Sequence, residues 1–123
     1  MSIQKDAYEI IRTIVGDSNI TDDPADCIGY RSGPGGYENG TGYDRVMTKL
    51  PGAIVMPDTT EQIQQIMKVC ARYGVPYVPY STGFYGPRSH PHVDSALIID
   101  LKRMRGFEID AKHYYIVVEP GVI

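Results

Sequence analysis

The clearest chemical signal in the sequence is a loop of small residues between two strand-like runs. Tyr77-Val78-Pro79 leads into Ser81-Thr82-Gly83-Phe84-Tyr85-Gly86, and the apolar run Ala96-Leu97-Ile98-Ile99 follows. A connection of this length exceeds a hairpin turn and is typical of a functional loop. Small residues let the backbone approach a ligand closely, and consecutive exposed amides form a nest for an anion. The residues therefore predict a phosphate-bearing ligand, with a surface loop that binds nothing as the alternative.

The elements before this loop have the pattern of a strand–helix–strand unit. Ala53-Ile54-Val55-Met56 is a short apolar run, typical of a strand buried on both faces. Thr59 and Gln62 have the spacing of a capping box, and Gly74 and Pro76 end the helix. The apolar residues of that helix recur on one face: Ile63, Ile66, Met67 and Cys70. We expect parallel strands joined by a right-handed crossover.

The rest of the chain supplies fewer regular patterns. Residues 3–15 predict a helix closed by Gly16, and residues 17–24 have turn chemistry. Residues 26–48 alternate glycine with tyrosine and predict a loop laid against another surface. Residues 97–101 and 115–118 predict a third and a fourth strand, with a polar, turn-like stretch over 102–113. The apolar positions of the first helix are Ile3, Ala7, Ile10, Ile11 and Ile14.

Composition and charge narrow the class of protein. The 123 residues are enough for one domain with a real core. A net charge of −3 without a cluster of Lys or Arg argues against nucleic acid as a partner. No apolar stretch reaches the length of a membrane span, and the first residues lack a signal-peptide pattern, so we expect a cytoplasmic protein. Cys27 and Cys70 lack metal-ligand spacing, and we expect Cys70 in the core rather than in a disulfide.

Taken together, four segments resemble the FAD-linked oxidases, the family of vanillyl-alcohol oxidase, para-cresol methylhydroxylase (PCMH) and the glycolate oxidase and D-lactate dehydrogenase flavoproteins. The order and spacing of the segments carry the resemblance, which begins near Gly16. It implies the α+β fold of a PCMH-type FAD-binding domain: its N-terminal βαβ-containing subdomain, a small mixed sheet with flanking helices. The segments are Pro51–Ile63, Tyr73–Pro79, Ile98–Met104 and Val117–Val122.

The resemblance implies a role for the small-residue loop. In the family, the loop after the second strand holds the FAD pyrophosphate, in agreement with the backbone-amide argument. Ser81 and Thr82 are the expected hydroxyl donors, whereas Phe84 and Tyr85 depart from small or polar family positions. The cofactor-binding residues implied are Tyr80, Ser81, Thr82, Gly83, Phe84, Tyr85 and Gly86.

The mode of flavin attachment and the catalytic groups are separate questions. Some relatives bond FAD to a histidine of this loop, but that position corresponds to Phe84, which implies noncovalent FAD. We expect His90 and His92 to be solvent-facing loop residues. Asp94 and Asp100 are candidates for an acid–base pair that nothing in the sequence places together, and Asp100 is expected to end its strand. No catalytic residue is assigned.

The resemblance implies one partial FAD-binding domain, with an N-terminal helix and Tyr/Gly-rich loop over 1–50 and the βαβ and pyrophosphate-loop core over 51–123. Relatives continue with the second half of the FAD domain and a cap domain. One hypothesis is a small subunit of a split FAD-linked oxidoreductase, completed by a companion chain. The alternative is a flavin-free paralogue used for assembly or small-molecule binding, for example as a self-associating dimer; a truncated gene product is a third. We expect Val117, Val118, Tyr30, Tyr37 and Tyr43 to be covered by another chain.

Overall fold

The computed structural model describes residues 2–30, 49–83, 91 and 93–123. Three helices and six strands lie in this part of the chain, with a short 3-10 turn after the first helix. Tyr37, Tyr43, Phe84, Tyr85, Gly86, His90 and His92 lie outside the described residues. In chain order the elements are α1 (Lys5–Val15), β1 (Ile20–Thr21), α2 (Pro24–Gly29), β2 (Ala53–Val55), α3 (Thr60–Tyr73), β3 (Tyr77–Tyr80), β4 (Leu97–Asp100), β5 (Phe107–Asp110) and β6 (Tyr115–Val118).

The main sheet has four strands in the order β1-β2-β4-β3. Strands β2, β4 and β3 run parallel, as the strand–helix–strand pattern predicts, and β1 lies antiparallel to β2 at one edge. Strand β4 enters between β2 and β3, so the crossover helix α3 connects strands that are not neighbours. The expected small mixed sheet with flanking helices is confirmed.

Apolar residues cover both faces of this sheet. Alternate residues of β2 and β4, such as Val55 and Leu97, pack against α1 and α3 in one cluster. The residues between them, Ile54 and Ile98, pack with Cys27 of α2 and with Tyr80 in a second, smaller cluster. Both cysteines are buried and unpaired, which confirms the core position expected for Cys70.

Local signals fix the ends of α3. The Thr59 hydroxyl accepts from the backbone N–H of Gln62 at 3.2 Å. The Gln62 side chain reaches one residue further back than an ideal capping box and accepts from the N–H of Asp58 at 2.7 Å. Gly74 ends the helix in the left-handed conformation that glycine tolerates best. The helix therefore begins and ends where the sequence predicts.

Four features differ from the sequence predictions. Strand β1 lies within residues 17–24, which were expected to have turn chemistry. Residues 24–29, expected to belong to a turn and an irregular segment, form α2, whose N-cap Asp23 accepts from the N–H of Ala25 at 2.7 Å. The stretch 102–113, expected to be turn-like, contains β5, which pairs with β6 in a separate two-stranded hairpin. Ile10 lies at the exposed side of α1, because Val15 continues the buried stripe instead.

Within the described ranges, no helix combines the length and the apolar character needed to cross a membrane.

Candidate functional site

The three parallel strands end at the same edge of the main sheet. The register pairs Tyr80 with Asp100 and Val55 with Ile99, so the carboxyl ends of β2, β3 and β4 lie side by side. In open parallel sheets, ligands bind outside the carboxyl ends of the strands. A ligand-binding site is therefore expected at this carboxyl edge.

The loop and turns that leave this edge contact one another. The Ser81 hydroxyl, at the start of the small-residue loop, donates to the backbone carbonyl of Pro120. The N–H of Gly121 donates to the carbonyl of Met104 at 2.8 Å. A Cβ on Gly121 would lie 2.5 Å from the carbonyl oxygen of Leu101, so only glycine permits this approach. The loop after β3, the turn after β4 and the turn after β6 thus meet at one point.

Gly83 has backbone geometry that a side chain would disturb. Its φ is +75°, in the region that L-residues rarely adopt. A Cβ built at Gly83 would overlap the hydroxyl end of the Tyr80 ring. A side chain at Gly83 is thus disfavoured for two local reasons, its φ and the Tyr80 ring.

Asp100 is the buried charged group at the centre of this edge. It is the last residue of β4, as predicted, and its side chain is 1% exposed. One carboxylate oxygen accepts from the Tyr30 hydroxyl and lies 3.2 Å from the Lys102 ammonium. The other oxygen accepts from the backbone N–H of Lys102 at 2.9 Å. Both oxygens of the buried carboxylate therefore have partners, as buried charges require.

Two tyrosines surround the Lys102 ammonium. Its nitrogen lies 5.2 Å from the centre of the Tyr30 ring and 4.9 Å from that of Tyr80, within the range of cation–π attraction. The two rings meet edge to face at 5.0 Å. Burial, and then the hydrogen bond to Asp100, raise the pKa of the Tyr30 hydroxyl above its ordinary value.

A cleft of about 610 Å³ opens beside these groups at the carboxyl edge. Arg103 donates to Asp58 at 2.5 Å and also to the side chain of Asn19, which ties the turn after β4 to the end of β2. Arg105 donates through Nε to the carbonyl of Lys102 at 2.7 Å. The lining residues are Tyr30, Met56, Asp58, Asp100, Lys102, Arg103 and Arg105.

The structure places the described part of the predicted site at this edge. Tyr80 is buried, Ser81 is half-buried, Thr82 is exposed and Gly83 is buried. The Ser81 hydroxyl would have to turn away from Pro120 to donate to a phosphate. The candidate pair Asp94 and Asp100 is not brought together, because Asp94 precedes β4, where it pairs with Lys49, and Asp100 is the last residue of that strand.

Sequence reasoning missed the roles of Tyr30 and Lys102. An available signal was the acidic residue directly after the apolar run Leu97-Ile98-Ile99, because a carboxylate there needs partners. The identity of those partners was not readable, since Tyr30 is 70 positions away in the chain.

Comparison with known proteins identifies a family and several relatives. Residues 51–123 match the family model described as FAD binding domain. The flavoprotein subunit of 4-cresol dehydrogenase (hydroxylating) from Pseudomonas putida is 31% identical over 120 residues, which cover 94% of this chain and 22% of that protein. Glycolate oxidase subunit GlcD from Bacillus subtilis is 28% identical over 122 residues, which cover 98% of this chain and 24% of that protein.

A solved structure shares the fold. The crystal structure of p-cresol methylhydroxylase with substrate bound superposes with a TM-score of 0.75 and 27% sequence identity, over 98% of this chain and 23% of that chain. This chain thus spans less than a quarter of the length of these relatives.

The residues at the carboxyl edge are compatible with a bound FAD. Gly83, three residues after β3, carries no side chain, and the neighbouring cleft is lined by Arg105 and by Lys102, whose ammonium pairs with Asp100. Bare backbone and nearby positive charge are what a pyrophosphate needs. With the match over residues 51–123, the chain belongs to the family of FAD binding domains, and FAD is its cofactor.

Proposed function

We propose that this chain is the FAD-binding small subunit of a split oxidoreductase. It holds the ADP and pyrophosphate part of FAD noncovalently, and a companion chain supplies the second half of the FAD domain and the cap domain. The observation that carries the proposal is the small-residue loop after β3, which leaves the carboxyl edge of a sheet in a chain that matches the FAD binding domain family.

The roles proposed for this chain are binding and orientation. Residues 80–86 hold the pyrophosphate, with backbone amides and the hydroxyls of Ser81 and Thr82 as donors. Gly83 sets the course of the loop, because its φ of +75° suits glycine and the Tyr80 ring occupies the place that a Cβ would take. When bound, FAD supplies the hydride chemistry, and the protein supplies position and electrostatics.

The hairpin of β5 and β6 supports a companion chain. Residues paired across an antiparallel ladder share a face, so Phe107, Val118, Ile109 and Ile116 project from one side. These four side chains are between 48% and 65% exposed. An exposed surface made only of large apolar side chains is typical of an interaction site. We call this surface the apolar hairpin face.

The opposite side of the hairpin has a mixed character. It carries Glu108 and Asp110 opposite Val117 and Tyr115. Charged residues are depleted in the centres of protein interfaces. We therefore propose that the companion chain packs on the apolar hairpin face, and that Val118 is covered more completely than Val117.

The absorption spectrum of the purified protein tests the proposal. The chain is purified alone and together with the product of the neighbouring reading frame, each incubated with FAD and desalted. We expect flavin absorbance to remain with the co-purified pair, at one FAD per pair, and to be released by denaturation with acid, as noncovalent binding requires.

Two results would contradict parts of this proposal. If the chain forms its complex and neither the complex nor the chain retains flavin, the flavin-free assembly module replaces the split enzyme. Flavin that stays on the denatured chain would contradict noncovalent binding.

A further inference from the structure

The side chains of Tyr30, Asp100 and Lys102 form a cluster whose contacts lead to the small-residue loop. Asp100 holds the Tyr30 hydroxyl and the Lys102 ammonium with the same carboxylate oxygen. The ring of Tyr30 and the Lys102 ammonium both contact the ring of Tyr80, the residue paired with Asp100 across the sheet. The cluster therefore fixes Tyr80 from two directions.

The position of the Tyr80 ring in turn restricts the conformation of Gly83. The end of the Tyr80 ring fills the space in which a Cβ of Gly83 would lie. The backbone carbonyl of Tyr80 accepts from the N–H of Leu101 at 2.8 Å, so the main chain at the start of the loop is also fixed. Between these two contacts lie only Ser81 and Thr82.

We propose that Tyr30, Asp100 and Lys102 are positioning residues that hold the Tyr80 ring against Gly83 and so set the backbone over residues 81–83, the described start of the FAD-binding loop. This inference rests on the proposed function for the role of the loop, but not for the contacts themselves. A loop set before binding loses less conformational freedom when the ligand arrives, which favours affinity. Tyr30 also ends α2, so the second helix is coupled to the loop through the same contacts.

The first measurement needs no flavin. Tyr30→Phe removes the hydroxyl that Asp100 holds and keeps the ring. In the full chain, we expect the ¹⁵N order parameter of the Gly83 amide to fall from about 0.85, the value of rigid backbone, towards about 0.6. Lys102→Met, which removes the ammonium and keeps most of the side-chain length, is expected to act in the same direction.

The second measurement is FAD affinity of the assembled complex, followed by flavin fluorescence. We expect the dissociation constant to rise about fivefold in Tyr30→Phe, the change that one hydrogen bond gives. Tyr77→Phe is the matched control, because Tyr77 lies at the other end of β3 and is exposed. It should change neither the Gly83 order parameter nor the dissociation constant.

Three results test the positioning role and distinguish it from the proposed function. A Gly83 order parameter that is unchanged in both variants, or already low in the unmodified chain, overturns the positioning role. Order parameters that fall equally in α1 and α3 indicate general loosening and also overturn it. If the variants loosen Gly83 but the unmodified complex takes up no FAD, the positioning role stands and the proposed function fails.

Discussion

At the scale of single residues, the buried carboxylate of Asp100 is the most consequential side chain of the candidate site. A buried charge is tolerated only where its partners replace the lost water. Asp100 meets that condition through Tyr30, the Lys102 side chain and the Lys102 backbone. Removing the carboxylate would leave a tyrosine hydroxyl and a backbone N–H without their acceptor.

Asp100→Ala should therefore lower the free energy of unfolding by about 2–4 kcal/mol, because two hydrogen-bond donors each lose a buried acceptor at a cost of about 1–3 kcal/mol. The Lys102 ammonium adds little to this cost, since its side chain is 38% exposed and reaches water. Asp94→Ala is the control, since Asp94 forms an exposed ion pair with Lys49 and should cost at most about 1 kcal/mol. Denaturant titration measures both. Equal small losses in the two variants would show that the buried pair does not stabilise the fold.

The raised pKa of Tyr30 predicts a change of stability in alkaline solution. In the unfolded chain the hydroxyl loses its proton near the ordinary pKa of 10.0, whereas the folded chain keeps it to higher pH. The folded state then binds more protons, so stability falls as pH rises above about 10. Tyr30→Phe lacks this hydroxyl. We expect its unfolding free energy to fall less steeply between about pH 9 and pH 11 than that of the unmodified chain; parallel curves would contradict the assignment.

Gly83→Val tests the loop itself. Valine is β-branched and poorly suited to a φ of +75°, and its Cβ would displace the Tyr80 ring. We expect the assembled complex to lose its flavin absorbance while the circular dichroism spectrum stays close to that of the unmodified protein. Gly29→Val is the control, because a Cβ there meets nothing within 4 Å. Full flavin content in Gly83→Val would argue against the loop as the phosphate site.

At the scale of elements, helix α3 is the part that the sequence predicts best. Thr59, the 3.6-residue apolar period and Gly74 are all local signals, and each agrees with the observed helix. Helix α2 was missed because six residues give too few turns for a period to show. The residues of β5 do alternate apolar and charged side chains, as a strand with one buried face does. The strand was missed because four residues between turn-forming neighbours are too short a signal.

In the candidate site, too, features that depend on neighbouring residues could be predicted, whereas contacts between distant residues could not. The small-residue loop and the acidic end of β4 were readable, since each depends on neighbouring residues. The meeting of Tyr30 with Asp100 was not readable, because it depends on how α2 folds back onto the second face of the sheet.

Ile66→Ala tests how α3 packs. Ile66 is 0% exposed and belongs to the larger core cluster. The loss of transfer energy and the resulting cavity should together cost about 2–5 kcal/mol. Ile10→Ala on α1 is the matched control, since Ile10 is 36% exposed, and it should cost clearly less. Equal denaturation midpoints for Ile66→Ala and the unmodified chain would contradict the packing.

At the scale of the whole molecule, the main sheet is covered on both faces and the hairpin is not. Helices α1 and α3 lie on one side of the sheet and α2 on the other. No comparable layer of the described residues covers the apolar hairpin face, whose four side chains all remain exposed. Tyr30, by contrast, is half-buried against Tyr80 within its own chain, so only the remainder of its surface is left for the expected cover by another chain.

We expect the chain to associate through the apolar hairpin face. Substitutions should therefore affect assembly differently on the two sides of the hairpin. Ile116→Lys places a charge in this face, whereas Val117→Lys, one residue later, places it beside Glu108 on the mixed face. Burying an unpaired charge is costly, so Ile116→Lys should abolish assembly and Val117→Lys should largely preserve it. Light scattering at micromolar concentration, alone and with the companion chain, measures both, and a biological interface should bury more than about 1,000 Å². An unmodified chain that stays monomeric in both conditions would contradict the split arrangement, and equal assembly of the two variants would place the interface elsewhere.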